Sequence, residues 1–501
     1  MIRALVGIGL LQLVSMLLLL TRTKVLAMTV GVGGIGTIAN VDALAAVIAQ
    51  TLSLSLPFAT LRFLPAALRD SPAETDLLYR RMRLVLITML LPATAICIGV
   101  ALAAPHRFGE ALVPYRRTMV LAFAGLPVVG LVPFLTNAYA GAVGHMQSMR
   151  LTVAHAGVMV LAAAAAAAGL GGGVDGFYAV YALAGTIFVI AAASRLTVPG
   201  LVKAERHPIR LRDAFRLPPA VWRFAAWLLP LTFAAPYAIW YVKYSTLRLY
   251  GVNSAGILQG AIGISLSVRV VLGAAHAVFL TPNINRQIDS GSRMAWANEF
   301  QRAIGLLFVA TLPPLLLFPD FALRLLYAPG FLAGSAFVAL FVATEVISML
   351  SGTYQALIIA VDRMRFHVVQ NLGAQLLLVG LAAILLPRVG LAGAGLAALS
   401  AQVVLFGSTL VFLHRQYGVR MSAPAVRTTA VAVIIVLIAG GVGSRYPGLS
   451  PAVLASKAVV CASLWLASLA LIPTEDRARL RDGVAHLLKR QVGPAAPHDL
   501  R

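Results

Sequence analysis

Charged residues are scarce in this 501-residue chain, and acidic ones are scarcest: Asp and Glu number 17 against 40 Lys and Arg. Only 11% of residues are charged, whereas 60% are hydrophobic and the mean hydropathy is +0.89. Ordinary soluble domains carry about 25% charged residues. This composition excludes a soluble globular protein.

Cysteine is also rare. Cys97 and Cys461 both fall within long apolar stretches, so we predict no disulfide framework and no metal site. No GxxxxGK[ST] run occurs, which excludes ATP hydrolysis at a P-loop of this chain. The connections predicted to face outward are short, with Glu110, Asp175 and Asp320 as their carboxylates. This pattern disfavours a membrane enzyme such as a polysaccharide polymerase or glycan ligase.

The chain is rich in long apolar stretches, of which we count about fourteen. Most reach the roughly 17–25 residues that a helix needs to cross a hydrocarbon core of about 30 Å. They cover residues 4–30, 38–64, 84–104, 118–140, 151–170, 176–194, 224–243, 254–280, 303–318, 334–360, 368–386, 392–413, 428–443 and 452–472.

Basic residues are sorted between the connections that join these stretches. Every second connection is crowded with Lys and Arg, and the positive-inside rule places those connections and both termini in the cytoplasm. The net charge of +23 therefore reflects topology and contact with anionic membrane lipids, and we expect no nucleic-acid partner. The intervening connections hold only Arg107, Arg116, Arg117, Arg324, Arg388 and Arg445.

Glycine-rich turns recur at matching places in two halves of the chain. Residues 31–36 and 251–256 follow spans 1 and 7, and residues 171–176 and 389–395 precede spans 6 and 12. Six spans per half is an even number, so both halves have the same orientation in the membrane. We predict an all-α polytopic membrane protein with two parallel, pseudo-symmetric six-helix lobes around a central cavity, plus two extra C-terminal helices. The predicted domains are residues 1–215 (first lobe and linker), 216–420 (second lobe) and 421–501 (extra helices and cytoplasmic tail).

Several of these segments resemble a known family. Residues 20–27, the following glycine turn, and residues 57–65, 255–260 and 391–395 are similar to the bacterial polysaccharide flippases of the multidrug/oligosaccharidyl-lipid/polysaccharide exporter superfamily. The resemblance implies transport, without enzymatic chemistry or a cofactor, of an undecaprenyl-pyrophosphate-linked oligosaccharide across a bacterial inner membrane by alternating access. It also implies membrane lipids as partners and, as further candidates, a polysaccharide polymerase and co-polymerase.

Seven cations lie in or beside the predicted spans, against the carboxylates of Asp42 and Glu345. A charge at the bilayer centre costs about 2.5–3.5 kcal/mol on insertion scales. The excess of cations over carboxylates therefore favours a water-filled cavity that binds an anionic ligand such as pyrophosphate. Guanidinium groups suit that ligand because their planar fork binds phosphate oxygens in pairs. The seven cations are Arg22, Lys24, Arg62, Lys243, Arg248, Arg269 and Lys457.

Arg269, near mid-membrane in span 8, is the first candidate for substrate contact; an ion pair with Glu345 is the alternative. Arg22 and Lys24 point about 200° apart on a helix, so only one of them fits a narrow cavity. The resemblance carries a cavity role over to Arg22, because the family's peptidoglycan-precursor flippases use an arginine of span 1.

The other candidates each have a structural alternative. Lys243 and Arg62 are candidate substrate ligands, but both, like Lys457, are also placed to snorkel toward the headgroups. Asp42 is a candidate for ion coupling or for pairing with Arg22 or Lys24. Gln259 offers hydrogen bonds to sugar hydroxyls, although buried glutamines also join helices to one another.

Two other transport functions remain open. A multidrug or cation antiporter of the same superfamily requires acidic cavity residues, which this chain hardly supplies. A peptidoglycan-precursor flippase agrees with the count of fourteen spans.

Overall fold

A computed structural model describes residues 2–170, 172–196, 209–275, 289–361, 363–418, 420–448 and 450–472, together with residues 280, 284 and 474. Within these residues the chain is helical and contains no strand. Part of the predicted linker, residues 197–208, and the C-terminal tail from residue 475 onward lie outside the described residues. The prediction of an all-α polytopic membrane protein is confirmed.

Sixteen α-helices are described, and the long ones are predominantly apolar. That composition suits a lipid environment, where a helix satisfies all of its backbone hydrogen bonds internally. The helices are α1 (Ile2–Leu52), α2 (Leu56–Asp70), α3 (Pro72–Ala103), α4 (Arg116–Ala124), α5 (Leu126–Ala142), α6 (His145–Ala167), α7 (Val174–Arg195), α8 (Leu211–Ala214), α9 (Pro219–Ala275), α10 (Ser290–Leu317), α11 (Pro319–Leu326), α12 (Ser335–Ala360), α13 (Met364–Val389), α14 (Leu391–Tyr417), α15 (Ala423–Arg445) and α16 (Pro451–Leu471).

Helix α1 is a hairpin of two helical arms. Gly31, at φ 66° and ψ −169°, leaves the helical conformation, which glycine adopts without a steric penalty. Arg22 and Asp42 lie on opposite sides of this break, and their side chains approach to 3.5 Å. In a straight helix twenty residues would separate them by about 30 Å, so the chain reverses at Gly31.

Helix α9 is interrupted in the same way at Gly251, with φ 81° and ψ 174°. Twelve helical stretches of the described residues are long and apolar enough to cross a membrane, and two of them, Leu10–Leu52 and Pro219–Arg269, run through the glycine breaks. Counting each of those two as a pair of spans gives 12 + 2 = 14. This agrees with the predicted number.

The two glycine breaks lie side by side, because α1 packs along α9. A Cβ added at Gly36 would collide with the Val252 carbonyl, and one added at Gly256 would collide with the Val32 carbonyl. Glycine is therefore required on both sides of this contact. We call this part of the bundle the turn end.

The remaining helices pack in groups along the chain. Helices α1 to α7 contact one another, α9 contacts α12, α13 and α14, and α15 and α16 pack against α10. Helix α15 also packs against α12 and α16, and neither α15 nor α16 takes part in the contact between α1 and α9. The symmetry of the two lobes and their boundaries at residues 215 and 420 stay predictions.

Candidate functional site

A cavity of about 1180 Å³ lies between α2 and the helices of the second half. Gln50 at the end of α1 and Phe58, Leu61 and Arg62 of α2 form one wall. Both arms of α9, together with α12, α13 and α14, form the rest. Apolar side chains dominate the lining and a few polar groups converge in it, as is typical of ligand sites.

Among the described residues, four charged side chains line this cavity: Arg62, Lys243, Arg269 and Glu345. Sequence reasoning had selected all four, and the structure brings them together on one surface. Among the described residues no ion pair within 4 Å joins Arg269 to Glu345, and Glu345 Oε2 is buried without a hydrogen-bond partner. Lys243 Nζ lies 3.5 Å from the carbonyl oxygen of Ala39. Three cations against one carboxylate make the cavity electropositive.

A polar stripe on α13 supplies neutral hydrogen-bonding groups. His367, Asn371 and Gln375 lie four residues apart, so they share one helix face, and all three line the cavity. Asn371 Nδ2 donates to the carbonyl of His367 at 2.8 Å and to Gln355 Oε1 at 3.4 Å. Sequence reasoning missed these three residues, although the four-residue spacing of polar groups in an apolar span was a usable signal.

Arg22 lies elsewhere, in a network within the first half. Its guanidinium pairs with Asp42 at 3.5 Å and lies 5.0 Å from the centre of the Phe177 ring. Asp42 Oδ1 also accepts a hydrogen bond of 2.7 Å from the Tyr178 hydroxyl. The structure therefore pairs Asp42 with Arg22, and neither residue is among those lining the cavity.

Lys24 points in a different direction and joins the two halves at the turn end. Its ammonium donates to the carbonyl of Arg324 at 2.9 Å and to that of Tyr327 at 2.6 Å. Both acceptors lie at the C-terminal end of α11, where backbone carbonyls lack helical partners and the helix dipole favours a cation. Gln259, the remaining candidate, lies outside the cavity wall with a buried Oε1 that has no partner among the described residues.

A second cavity, of about 790 Å³, adjoins the first and shares Arg62, Phe224 and Met364 with it. Arg223, Arg363 and Arg365 also line it. In the sequence these three arginines indicated only which side of the membrane they occupy. We call this second cavity the arginine mouth.

The appended helix α16 corrects one expectation. Lys457 was placed to snorkel toward the headgroups, but it is only 1% exposed. Its ammonium lies 3.7 Å from Asp320 Oδ2 of α11 and 5.9 Å from the centre of the Phe318 ring. Asp320 Oδ2 also accepts a hydrogen bond from the Gly448 amide at 2.9 Å. Packing against α10 buries the lysine, and the carboxylate on α11 balances its charge.

Comparison with solved structures identifies similar folds. The lipid II flippase MurJ, in an inward closed conformation, matches with a TM-score of 0.66 and 9% identity over 92% of this chain and 97% of that one. An inward-facing multidrug resistance MATE family transporter of the MOP superfamily matches with a TM-score of 0.56 and 14% identity over 81% of this chain and 95% of that one. A MOP superfamily transporter from Pyrococcus furiosus, reported to have a binding pocket of reverse polarity, matches with a TM-score of 0.53 and 14% identity, covering 82% and 95%.

No protein-family model and no curated protein match the sequence. At these identities the structural likeness shows the fold. The chain has the helical fold shared by MATE transporters and MurJ, members of the multidrug/oligosaccharidyl-lipid/polysaccharide exporter superfamily.

Proposed function

We propose that the protein is a flippase that carries a polyprenyl-diphosphate-linked oligosaccharide from the inner to the outer leaflet of a bacterial inner membrane, with both termini in the cytoplasm. The fold supports a transporter or flippase. The observation that carries the substrate class is the charge of the cavity, where Arg62, Lys243 and Arg269 face a single carboxylate, Glu345.

The two kinds of polar group in the cavity match the two polar parts of such a substrate. Arginine binds phosphate oxygens in pairs, so Arg62 and Arg269 suit a diphosphate. The amides of Gln355, Asn371 and Gln375 offer both donors and acceptors to sugar hydroxyls. The hydrocarbon tail needs no polar partner and remains in lipid.

Alternating access requires that the ligand bind the two states differently, because a ligand of equal affinity for both shifts nothing. In the described state the halves meet closely at the turn end, through the glycine breaks and Lys24, and the cavity lies between them toward the arginine mouth, where the Phe63 and Phe224 rings are in contact. With the arginines on the cytoplasmic side, this state receives substrate from the inner leaflet. A state with the turn end open would release it outward.

A second candidate, within the same substrate class, is a peptidoglycan-precursor flippase. The observation that favours it is the TM-score of 0.66 to MurJ, against 0.56 for a MATE transporter. An exporter of cationic drugs is disfavoured by the electropositive cavity.

Deletion of the gene, followed by analysis of lipid-linked glycans, tests the function. We expect polyprenyl-diphosphate-linked intermediates to accumulate in the inner leaflet; a surface-polysaccharide repeat unit supports the first candidate, and lipid II supports the second. Unchanged pools of both would refute a flippase.

Arg269→Ala tests the site. We expect the variant to insert into the membrane normally and to lose export of the accumulated glycan, because the guanidinium nearest mid-membrane is gone. Arg248→Ala is the matched control, because Arg248 is exposed on the same helix and does not line the cavity. Full export by the Arg269 variant would remove that residue from the site.

A further inference from the structure

The arginine mouth collects cations from three separate parts of the chain. Arg62 comes from α2, Arg223 from the start of α9, and Arg363 and Arg365 from the start of α13. All four side chains are exposed to solvent. The described residues that line this cavity include no Asp or Glu; Asp362, between two of the arginines in sequence, lies outside the described residues.

Aromatic rings hold two of these arginines in place. The Arg365 guanidinium lies 4.8 Å from the centre of the Trp227 ring, and that of Arg62 lies 5.0 Å from the centre of the Phe224 ring. A guanidinium near an aromatic face is attracted by the ring, which restricts where the side chain lies. The planar forks of Arg363 and Arg365, which line the same cavity, are suited to bind an anion with several oxygens.

The arginine mouth adjoins the larger cavity between α2 and the second half, and the two share part of their lining. Arg62 and Phe224 line both, and the first cation further in is Arg269 or Lys243. An anion that enters through the arginine mouth therefore meets the arginines there before it reaches Arg269 or Lys243. Arg223, Arg363 and Arg365 of the second half bring three like charges to this mouth, and an anion bound among them lowers their mutual repulsion.

We propose that the arginine mouth is a separate binding site for the diphosphate headgroup of a lipid, occupied before the central cavity, with Arg363 and Arg365 as its specific ligands. This inference rests on the proposed function and adds a first docking step to it. Two sites in series allow the headgroup to exchange one set of guanidinium partners for the next. A charged group thus moves inward without losing all of its contacts at once.

The test uses the full chain in non-ionic detergent, with radiolabelled farnesyl diphosphate as the probe and inorganic pyrophosphate and farnesol as comparison ligands. We expect saturable binding of farnesyl diphosphate, quenching of Trp227 fluorescence, and no quenching in Trp227→Phe. Substituting Gln at both 363 and 365 should weaken binding about tenfold or more, because charge-assisted forks are lost. The matched control is Arg415→Gln. Arg415 is an exposed arginine near the C-terminal end of α14 that does not line the arginine mouth, so this variant should bind farnesyl diphosphate normally.

The outcomes separate this inference from the proposed function. Binding that needs Arg269 but neither Arg363 nor Arg365, without a Trp227 signal, would overturn the mouth site and leave the flippase intact. Equal affinity for free pyrophosphate would also overturn it, since the mouth would then take a soluble anion. Absence of saturable binding in every variant, with unchanged lipid-linked glycans after gene deletion, would overturn both. Normal binding by Arg269→Gln that is lost in the 363/365 variant supports the docking step.

Discussion

The two ends of the helical bundle differ in the groups through which the halves of the chain meet. At the turn end backbone meets backbone: Gly36 and Gly256 each leave room for a carbonyl oxygen of the other half. At the arginine mouth the charged residues of the described lining are all arginines, and the Phe63 and Phe224 rings of the two halves meet edge to face with centroids 5.7 Å apart. The first end needs close geometric fit between backbones, whereas the second joins side chains and also responds to charge.

This difference suggests how each end responds to its surroundings. A packed backbone contact is lost within a fraction of an ångström, because close-packed interiors are not continuously deformable. Repulsion between exposed charges acts over about 10 Å at ordinary ionic strength and disappears when a counter-charge binds. A ligand therefore acts directly on the mouth, and the turn end responds as a packed unit.

Removing the support of the turn end should have the largest effect. Asp320 of α11 balances the buried Lys457, and the same helix presents the carbonyls that bind Lys24. Asp320→Ala leaves an uncompensated buried cation, which costs about 3–5 kcal/mol. We expect a large fall in the thermal unfolding temperature measured in detergent. The double variant Asp320→Asn/Lys457→Met should recover most of it, and a single variant as stable as the native chain would show that the pair contributes little.

Overpacking the glycine contact should have the next largest effect. Gly256→Val places a side chain against the Val32 carbonyl, and overpacking costs about 1–3 kcal/mol. The control is Gly380→Val, a helical glycine whose added Cβ has no neighbour within 4 Å. Both substitutions change the helix propensity by the same amount, so the difference in unfolding temperature isolates the contact. Equal losses in the two variants would argue against a tightly closed turn end.

Releasing Lys24 should loosen the closed end without unfolding it. Lys24→Met removes two hydrogen bonds from a charged donor, and about 1.4 kcal/mol corresponds to a tenfold change in the population of two states. The measurement is maleimide labelling of Ser348→Cys, a half-buried residue of the cavity lining, in a chain whose two native cysteines have been replaced. We expect labelling in right-side-out vesicles to rise about tenfold, with little change in inside-out vesicles. An unchanged ratio would separate Lys24 from the closure of this end.

Salt should have the smallest effect and should act on one end only. Raising NaCl from about 0.05 M to 0.5 M shortens the screening length severalfold, so farnesyl diphosphate binding at the exposed mouth should weaken a few-fold. Lys24 is half-buried and its contact with the Tyr327 carbonyl is partly buried, so labelling of Ser348→Cys from the turn end should stay constant. A parallel response of both measurements would contradict the distinction between the two ends.

The fold was predictable from the sequence because length, apolar composition and the distribution of basic residues each constrain a membrane bundle. The reversals after spans 1 and 7 coincide with glycine-rich turns, and the structure places the breaks at Gly31 and Gly251. Glycine there adopts a positive φ that other residues rarely reach. The sequence carried that signal in a single residue type.

The site was only partly accessible to the same reasoning. An apolar helix in a bundle has no polar face to show which side meets the cavity, so Arg62, Lys243, Arg269 and Glu345 could be selected by charge but not oriented. Lys24 was also selected by its charge, but it binds backbone carbonyls at the end of α11. A sequence does not show which backbone carbonyls will be available as acceptors. The stripe that begins at His367 was missed because the search for cavity residues followed charge, whereas its signal is the four-residue spacing of polar groups.

The contact between Lys24 and Tyr327 joins groups that are 303 residues apart in the chain. At synthesis rates of roughly 5–20 residues per second, the ammonium is made on the order of tens of seconds before its acceptors exist. During that interval the newly inserted first hairpin must keep this charge in contact with water, lipid headgroups or the insertion machinery. Final closure of the turn end therefore cannot precede synthesis of Tyr327, well inside the second half of the chain.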